Sequence, residues 1–85
     1  MRLDKFLKVS RLIKRRTVAN EVSDMGKILV NGNVAKPSKT LKVGDIIKIE
    51  RGLKPVSVKV LKIPESNVSI QEAPFLYQNL EDSEI

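Results

Sequence analysis

The dipeptide Asn31-Gly32 directly follows the apolar run Ile28-Leu29-Val30, and few short sequences commit a chain so firmly to a β-hairpin. Just before it, Val18, Val22 and Met25 recur at i, i+4, i+7 as one apolar helical face. Gly26 stands where a left-handed residue would close that helix. The fold must therefore accommodate a helix that feeds straight into a hairpin. At 85 residues it must do so in one small domain with a single modest core.

That helix begins unfavourably. Lys14, Arg15 and Arg16 stand at its start, where the partial positive charge of the helix terminus suits acids and mildly disfavours cations. Thr17 is the only candidate cap. Free backbone N–H groups beside guanidinium groups make an anion site, and phosphate is its natural occupant. The plainer alternative is a solvated charge run. On this feature alone the two stand level.

The distribution of charge separates them. All 16 Lys and Arg lie between Arg2 and Lys62, against five acids in that span (Asp4, Glu21, Asp24, Asp45 and Glu50), a net of +11. Beyond Lys62 come five acids and no cation, a net of −5. A strongly basic domain with an acidic tail is the footprint of a polyanion partner. Nucleic acid leads, with an anionic membrane surface as runner-up.

Other classes fall away on residue types. Without Cys or His the chain lacks thiolate metal ligands, disulfides and the usual general base, so neither cofactor nor metal is expected. Glycines occur singly and no Ser has a His partner, which leaves no phosphate-cradling loop and no nucleophile–base pair. No apolar run approaches the roughly 20 residues of a membrane span, nor is there a signal-peptide core, so a cytoplasmic protein is expected. The three aromatics, Phe6, Phe75 and Tyr77, are too few for a stacking platform. Affinity must come from phosphates and shape, which favours structured RNA.

Taken in order, residues 2 to about 12 read as a first helix with Leu3, Phe6, Leu7 and Ser10 on one side and Lys5, Lys8 and Arg11 on the other. Asp4 suits the first turn through the dipole; its alternative role is to fix the guanidinium of Arg16. Leu12-Ile13 is the apolar joint to the second helix. Lys36-Pro37-Ser38-Lys39 is a loop from which both lysines project. Ile46–Glu50 and Val56–Val60 read as strands, with Ser57 and Lys59 outward and a bulge near Val60-Leu61. Arg51-Gly52 breaks the first of these strands, and Lys54-Pro55 begins a loop. Pro64 ends the ordered core, giving a domain over 1–63 and an acidic, flexible tail over 64–85. Within that tail Phe75, Leu76 and Tyr77 are the bulky cluster, able to dock on the sheet or to serve as a binding motif.

Several blocks together resemble a known family. Arg2-Leu3-Asp4-Lys5-Phe6-Leu7, Lys14-Arg15-Arg16 with Ala19, Gly26-Lys27-Ile28-Leu29-Val30-Asn31-Gly32 and Gly44-Asp45-Ile46-Ile47 are similar to the S-four RNA-binding domain, over roughly residues 1 to 50. Lys36-Pro37-Ser38-Lys39 resembles its stand-alone members of the heat-shock-protein-fifteen type, and the short length resembles those of ribosome-associated quality control. The resemblance implies an α+β, αL-type fold of two short helices on a small, mainly antiparallel sheet. It further implies RNA contacts from Arg2, Lys14, Arg15, Arg16 and Lys27, with Asp4 orienting and Asn31 near the edge. Lys5, Lys8, Arg11, Lys36 and Lys39 extend that surface. One departure is clear: the family has Ser or Thr where Arg15 stands.

The expected protein is thus an RNA-binding adaptor, not an enzyme, and a monomer when free. Its expected partners are large-subunit ribosomal RNA, peptidyl-tRNA, and the stalled large subunit with its quality-control factor. There it would support alanine tailing of the trapped chain. The alternatives are a general ribosome-assembly or tRNA-binding factor of the same fold, a basic protein-interaction or membrane-surface module, and, third, an RNA-modifying enzyme, for which the length leaves no second domain.

Overall fold

The computed structural model describes residues 1–50, 55–65 and 68–80. Two helices, α1 (Leu3–Val9) and α2 (Arg16–Asp24), precede β1 (Ile28–Val30), β2 (Asn33–Val34), β3 (Ile46–Ile49) and β4 (Val56–Val60). A 3-10 turn over Ala73–Leu76 then leads into β5 (Tyr77–Asn79). The strands form one sheet in the order β2-β1-β3-β4-β5, and every neighbouring pair is antiparallel. The expected α+β architecture is what forms.

The hairpin follows its sequence closely. Asn31 and Gly32 have φ of 52° and 86°; positive φ at both central residues marks a type I′ turn, whose twist matches the strands it joins. Leu29 pairs with Val34 and Val30 with Asn33. In β3 and β4 the period of two places Ile47, Ile49, Val58 and Val60 in the core, while Ile46, Lys48 and Lys59 face out. These side chains form one buried cluster with Leu3, Phe6, Leu7 and Ile13 from the helical layer.

The helices differ from expectation in extent and phase. The first ends at Val9 rather than near residue 12, because Arg11 adopts φ of 64° and turns the chain. On α2 the buried residues are Ala19, Val22 and Ser23, and Met25 is 65% exposed. Met25 is the C-cap, already off the helical spiral, so the 3.6-residue period no longer carries it inward. Ser23 instead enters the interior and donates its Oγ–H to the Ala35 carbonyl at 2.7 Å, which satisfies a buried hydroxyl.

The sheet also runs past the boundary expected after Ile63. Tyr77 pairs with Val60 and Asn79 with Val58, and Leu76 is 2% exposed within the core. Of the bulky trio only Leu76 docks fully; Phe75 stays out and Tyr77 is half-buried. The reason is packing: β4 would otherwise end the sheet as an open edge, and β5 covers it. At the crossing, the amides of Leu61 and Lys62 both donate to the Leu76 carbonyl, at 2.8 and 3.2 Å. Two residues opposite one is the bulge geometry expected there. The break at Arg51-Gly52, the Lys54 end of the next loop and the last five residues lie outside the described residues.

Candidate nucleic-acid interface

The interface is organised by a buried carboxylate. Asp4, in the first turn of α1, is 1% exposed, yet two guanidinium groups reach it, with side chains 52% (Arg2) and 44% (Arg16) exposed. Arg2 Nε lies 3.3 Å from Oδ1 and its second amino nitrogen 3.3 Å from Oδ2. Arg16 approaches from the other helix, with Nε 3.2 Å from Oδ2 and an amino nitrogen donating to Oδ1 at 3.5 Å. Each fork thus straddles both oxygens, the geometry in which arginine is held most firmly. A fifth donor, the Lys5 backbone N–H at 2.7 Å, completes the carboxylate's shell. Asp4 therefore fixes two guanidinium groups without itself facing the surface, and one of them is the Arg16 partner expected of it.

The two helix starts are finished differently. At α1 the amides of Leu3 and Asp4 donate to the carbonyls of Lys39 and Pro37, at 2.7 and 3.1 Å. Those bonds lay the Lys36–Lys39 loop along the start of α1, and the bridge between Arg2 and Thr40 extends the contact. Exposed Lys36 and Lys39 thereby join the neighbourhood of Arg2. At α2 the N-cap is Arg15, with no side-chain cap. Thr17 does not cap it, because it lies inside the first turn. Among the described residues nothing accepts from the amides of Arg16, Thr17 and Val18. Where α1 is satisfied by protein, α2 presents unpaired N–H groups flanked by Lys14, Arg15 and Arg16, an arrangement suited to an anion.

A second group of cations surrounds the corner between the helices. Lys8, Arg11 and Lys14 line one cleft with Val9 and Val68. Arg11, Lys14 and Arg15 line an adjoining one around Leu12, Ile13 and Val18. Lys5 is half-buried on α1. Lys27 is exposed and stands between the end of α2 and the start of β1.

Asn31 is exposed and lines a cleft with Lys36 and Lys39, and its side chain also has an internal task. Its Nδ2 donates to Asp45 Oδ1 at 3.1 Å, and its Oδ1 accepts the Ile46 N–H at 3.0 Å. Asp45 Oδ2 in turn accepts the Lys42 N–H at 2.9 Å. The side chain expected at the edge of the interface thus also locks the hairpin to the start of β3. In the sequence Asp45 stands out only within the Gly44-Asp45-Ile46-Ile47 block; Gly-Asp is a turn signal, and Gly44 has φ of 96°.

Among the described residues no group of His, Cys, Asp and Glu could hold a metal, and no helix is long and apolar enough to cross a membrane. A further cleft, beside Lys62, Pro64 and Leu76, includes Glu65 and Glu72 in its lining and is ill suited to a polyanion.

Residues 1–47 match the model of the S4 domain. The chain is 55% identical over 78 residues to the "RQC P-site tRNA stabilizing factor" of Halalkalibacterium halodurans, which spans 92% of this chain and 88% of that one. It is 49% identical over 85 residues to the protein of the same name from Streptococcus pneumoniae, covering 100% and 96%. Among solved structures, the trimeric heat shock protein 15 of Vibrio cholerae superposes with a TM-score of 0.85 at 34% identity, over 93% of this chain and 80% of that one.

Proposed function

This chain belongs to the S4 domain family, and from that premise we propose that it is an RNA-binding factor of ribosome-associated quality control. In this reading it binds tRNA and ribosomal RNA together on large subunits that still carry peptidyl-tRNA, and so supports alanine tailing of the trapped chain. The observation that carries the reading is the likeness, along nearly the whole length, to relatives named for stabilising P-site tRNA. The physical arrangement is consistent with it: Arg2 and Arg16 held by Asp4, and an uncapped α2 start between cations. The work is that of a cytoplasmic binding factor rather than an enzyme, since positioning needs phosphate contacts and no bond is made or broken.

Each phosphate contact alone is weak at physiological salt. Two RNA surfaces held in one place raise the effective concentration for the second contact. The protein should therefore retain on subunits carrying peptidyl-tRNA about tenfold better than on vacant ones, roughly 1.4 kcal/mol. Pelleting of the purified protein with each kind of subunit, across a salt series, measures this. Equal retention would leave an rRNA-binding factor without selection for the obstructed state, and release by neither salt nor ribonuclease would remove RNA as the partner.

A further inference from the structure

The fold uses only part of the trio Phe75-Leu76-Tyr77. Leu76 is buried and Tyr77 pairs with Val60, whereas Phe75 is 75% exposed, the most of any large apolar side chain among the described residues. That exposure is built in. The 3-10 turn over Ala73–Leu76 has Pro74 at its start, and the Phe75 N–H donates to the Glu72 carbonyl at 3.0 Å. The amides of Glu72 and Ala73 both donate to the Ser69 carbonyl at 3.1 Å. With Leu76 anchored in the core, the turn holds the Phe75 ring beside an open cleft of about 570 Å³. Ile63, Pro64, Val68 and Leu76 give that cleft an apolar lining. One exposed apolar side chain is ordinary; an aromatic ring fixed over an apolar cleft has the form of an anchor point for a protein partner.

Charge decides what covers it. Glu65 and Glu72 line the cleft against one cation, Lys62, and among the described residues none of the three has an ion-pair partner. In a chain with a net charge of +11 as far as Lys62, such a lining turns phosphate away and favours a cationic occupant. Val68 lines this cleft and also that of Lys8, Arg11 and Lys14, so the occupant lies next to RNA held at the basic corner. A second polyanion would be repelled by the first. A cationic segment is attracted by the acids and by the neighbouring phosphates alike.

We propose that the cleft beside Phe75 docks a lysine- or arginine-bearing segment of a protein partner, with one bulky apolar side chain of that segment seated against the ring. The site rests on the RNA-binding reading above for its neighbouring RNA, and adds recognition of a protein that lies on the same RNA.

The test uses the full chain with a benzophenone in place of the Phe75 ring, bound to large subunits that carry peptidyl-tRNA, irradiated and digested for mass spectrometry. The ring should attach to a peptide of another protein rich in Lys or Arg, and the attachment should vanish when Glu65→Lys and Glu72→Lys are added. Attachment to ribosomal RNA or to a second copy of this chain, no attachment, or attachment that survives the charge reversal would each overturn the site. Phe75→Ala should melt and bind a labelled RNA stem-loop as the parent does, yet be retained on the subunits about tenfold less. The charge-reversed chain should bind the stem-loop more tightly and the subunits more weakly, the opposite of what long-range electrostatics alone would give. If Phe75→Ala lowers the melt, the charge-reversed chain and the attachment still decide. Retention of the charge-reversed chain equal to or above that of the parent would overturn the site. A parent that binds neither stem-loop nor subunits would overturn the RNA-binding reading and this site with it; a parent that binds both without these differences overturns this site alone.

Discussion

Arg16 Nε lies 3.2 Å from Asp4 Oδ2, an ion pair between residues 12 apart in sequence that joins the start of α2 to the first turn of α1. The carboxylate is buried and the guanidinium is not. Such a pair fixes the direction of a charge more than it stabilises a fold, since a half-exposed arginine keeps much of its hydration. The same carboxylate holds Arg2, so one acid sets two cations of the candidate interface at once.

Asp4→Asn tests that idea through the sign of its effect. Removing an acid raises the net charge, and long-range electrostatics alone would then tighten RNA binding. Loss of the two arginine forks should instead weaken it, by about tenfold or roughly 1.4 kcal/mol. Stability should fall by about 1–3 kcal/mol as charge-assisted hydrogen bonds are lost. Denaturant unfolding and RNA titration on the same sample separate the two effects.

Arg16 can be examined by conservative and radical exchange. Arg16→Ala should weaken ribosome binding by about 1–3 kcal/mol while leaving a folded domain. Arg16→Lys keeps the charge but cannot span both carboxylate oxygens, so it should recover only part of the loss. Full recovery by lysine would mean that charge suffices and that the held geometry is incidental. Pelleting with large subunits at fixed salt gives both values.

How much of this was legible in the sequence depends on whether a feature is local. The Asn31-Gly32 turn, the inward Leu3-Phe6-Leu7 face and the alternation of Val56, Val58 and Val60 each follow from a period or a dipeptide, and each forms. The Asp4–Arg16 pair was also within reach, because an acid one turn into a basic helix invites a partner. Features set by tertiary closure were not. Ser23 is buried because the Ala35 carbonyl meets it, and Asn31 is occupied because Asp45 arrives from fourteen residues away. The fifth strand has only three residues and no period to announce it; it exists because β4 offers an edge.

Asn31→Ala should damage the fold and spare the interface. The change removes a donor to Asp45 and an acceptor for the Ile46 N–H, and it places a Cβ-only side chain at a φ of 52° that asparagine tolerates better. A loss of about 1–3 kcal/mol in denaturant unfolding is expected, with RNA affinity of the folded protein unchanged. A selective loss of affinity with normal stability would make Asn31 a direct RNA contact.

The C-terminal segment provides the last test, because its charge and its packing make opposite demands. Its acids argue for a tail that competes with phosphate, and removing them should tighten RNA binding. Yet Leu76 is buried, β5 pairs with β4 over three residues, and the bulge amides of Leu61 and Lys62 donate to the Leu76 carbonyl. A chain cut after Glu65 would lose all of that and leave β4 as an open edge. It should no longer melt cooperatively, given that a domain of this size holds about 0.05–0.15 kcal/mol per residue. Leu76→Ala alone should cost about 2–5 kcal/mol through lost burial and the cavity left behind. Removal of residues 81–85 is different: it takes away Glu81, Asp82 and Glu84 and no residue of the core described above. That variant should melt like the parent and bind RNA more tightly, most visibly at low salt, where surface charges are least screened. Circular-dichroism melts and RNA titrations at two salt concentrations check all three variants. A cooperative, unshifted melt after the cut at Glu65 would show that residues 1–65 suffice for the fold and that β5 is merely an attachment.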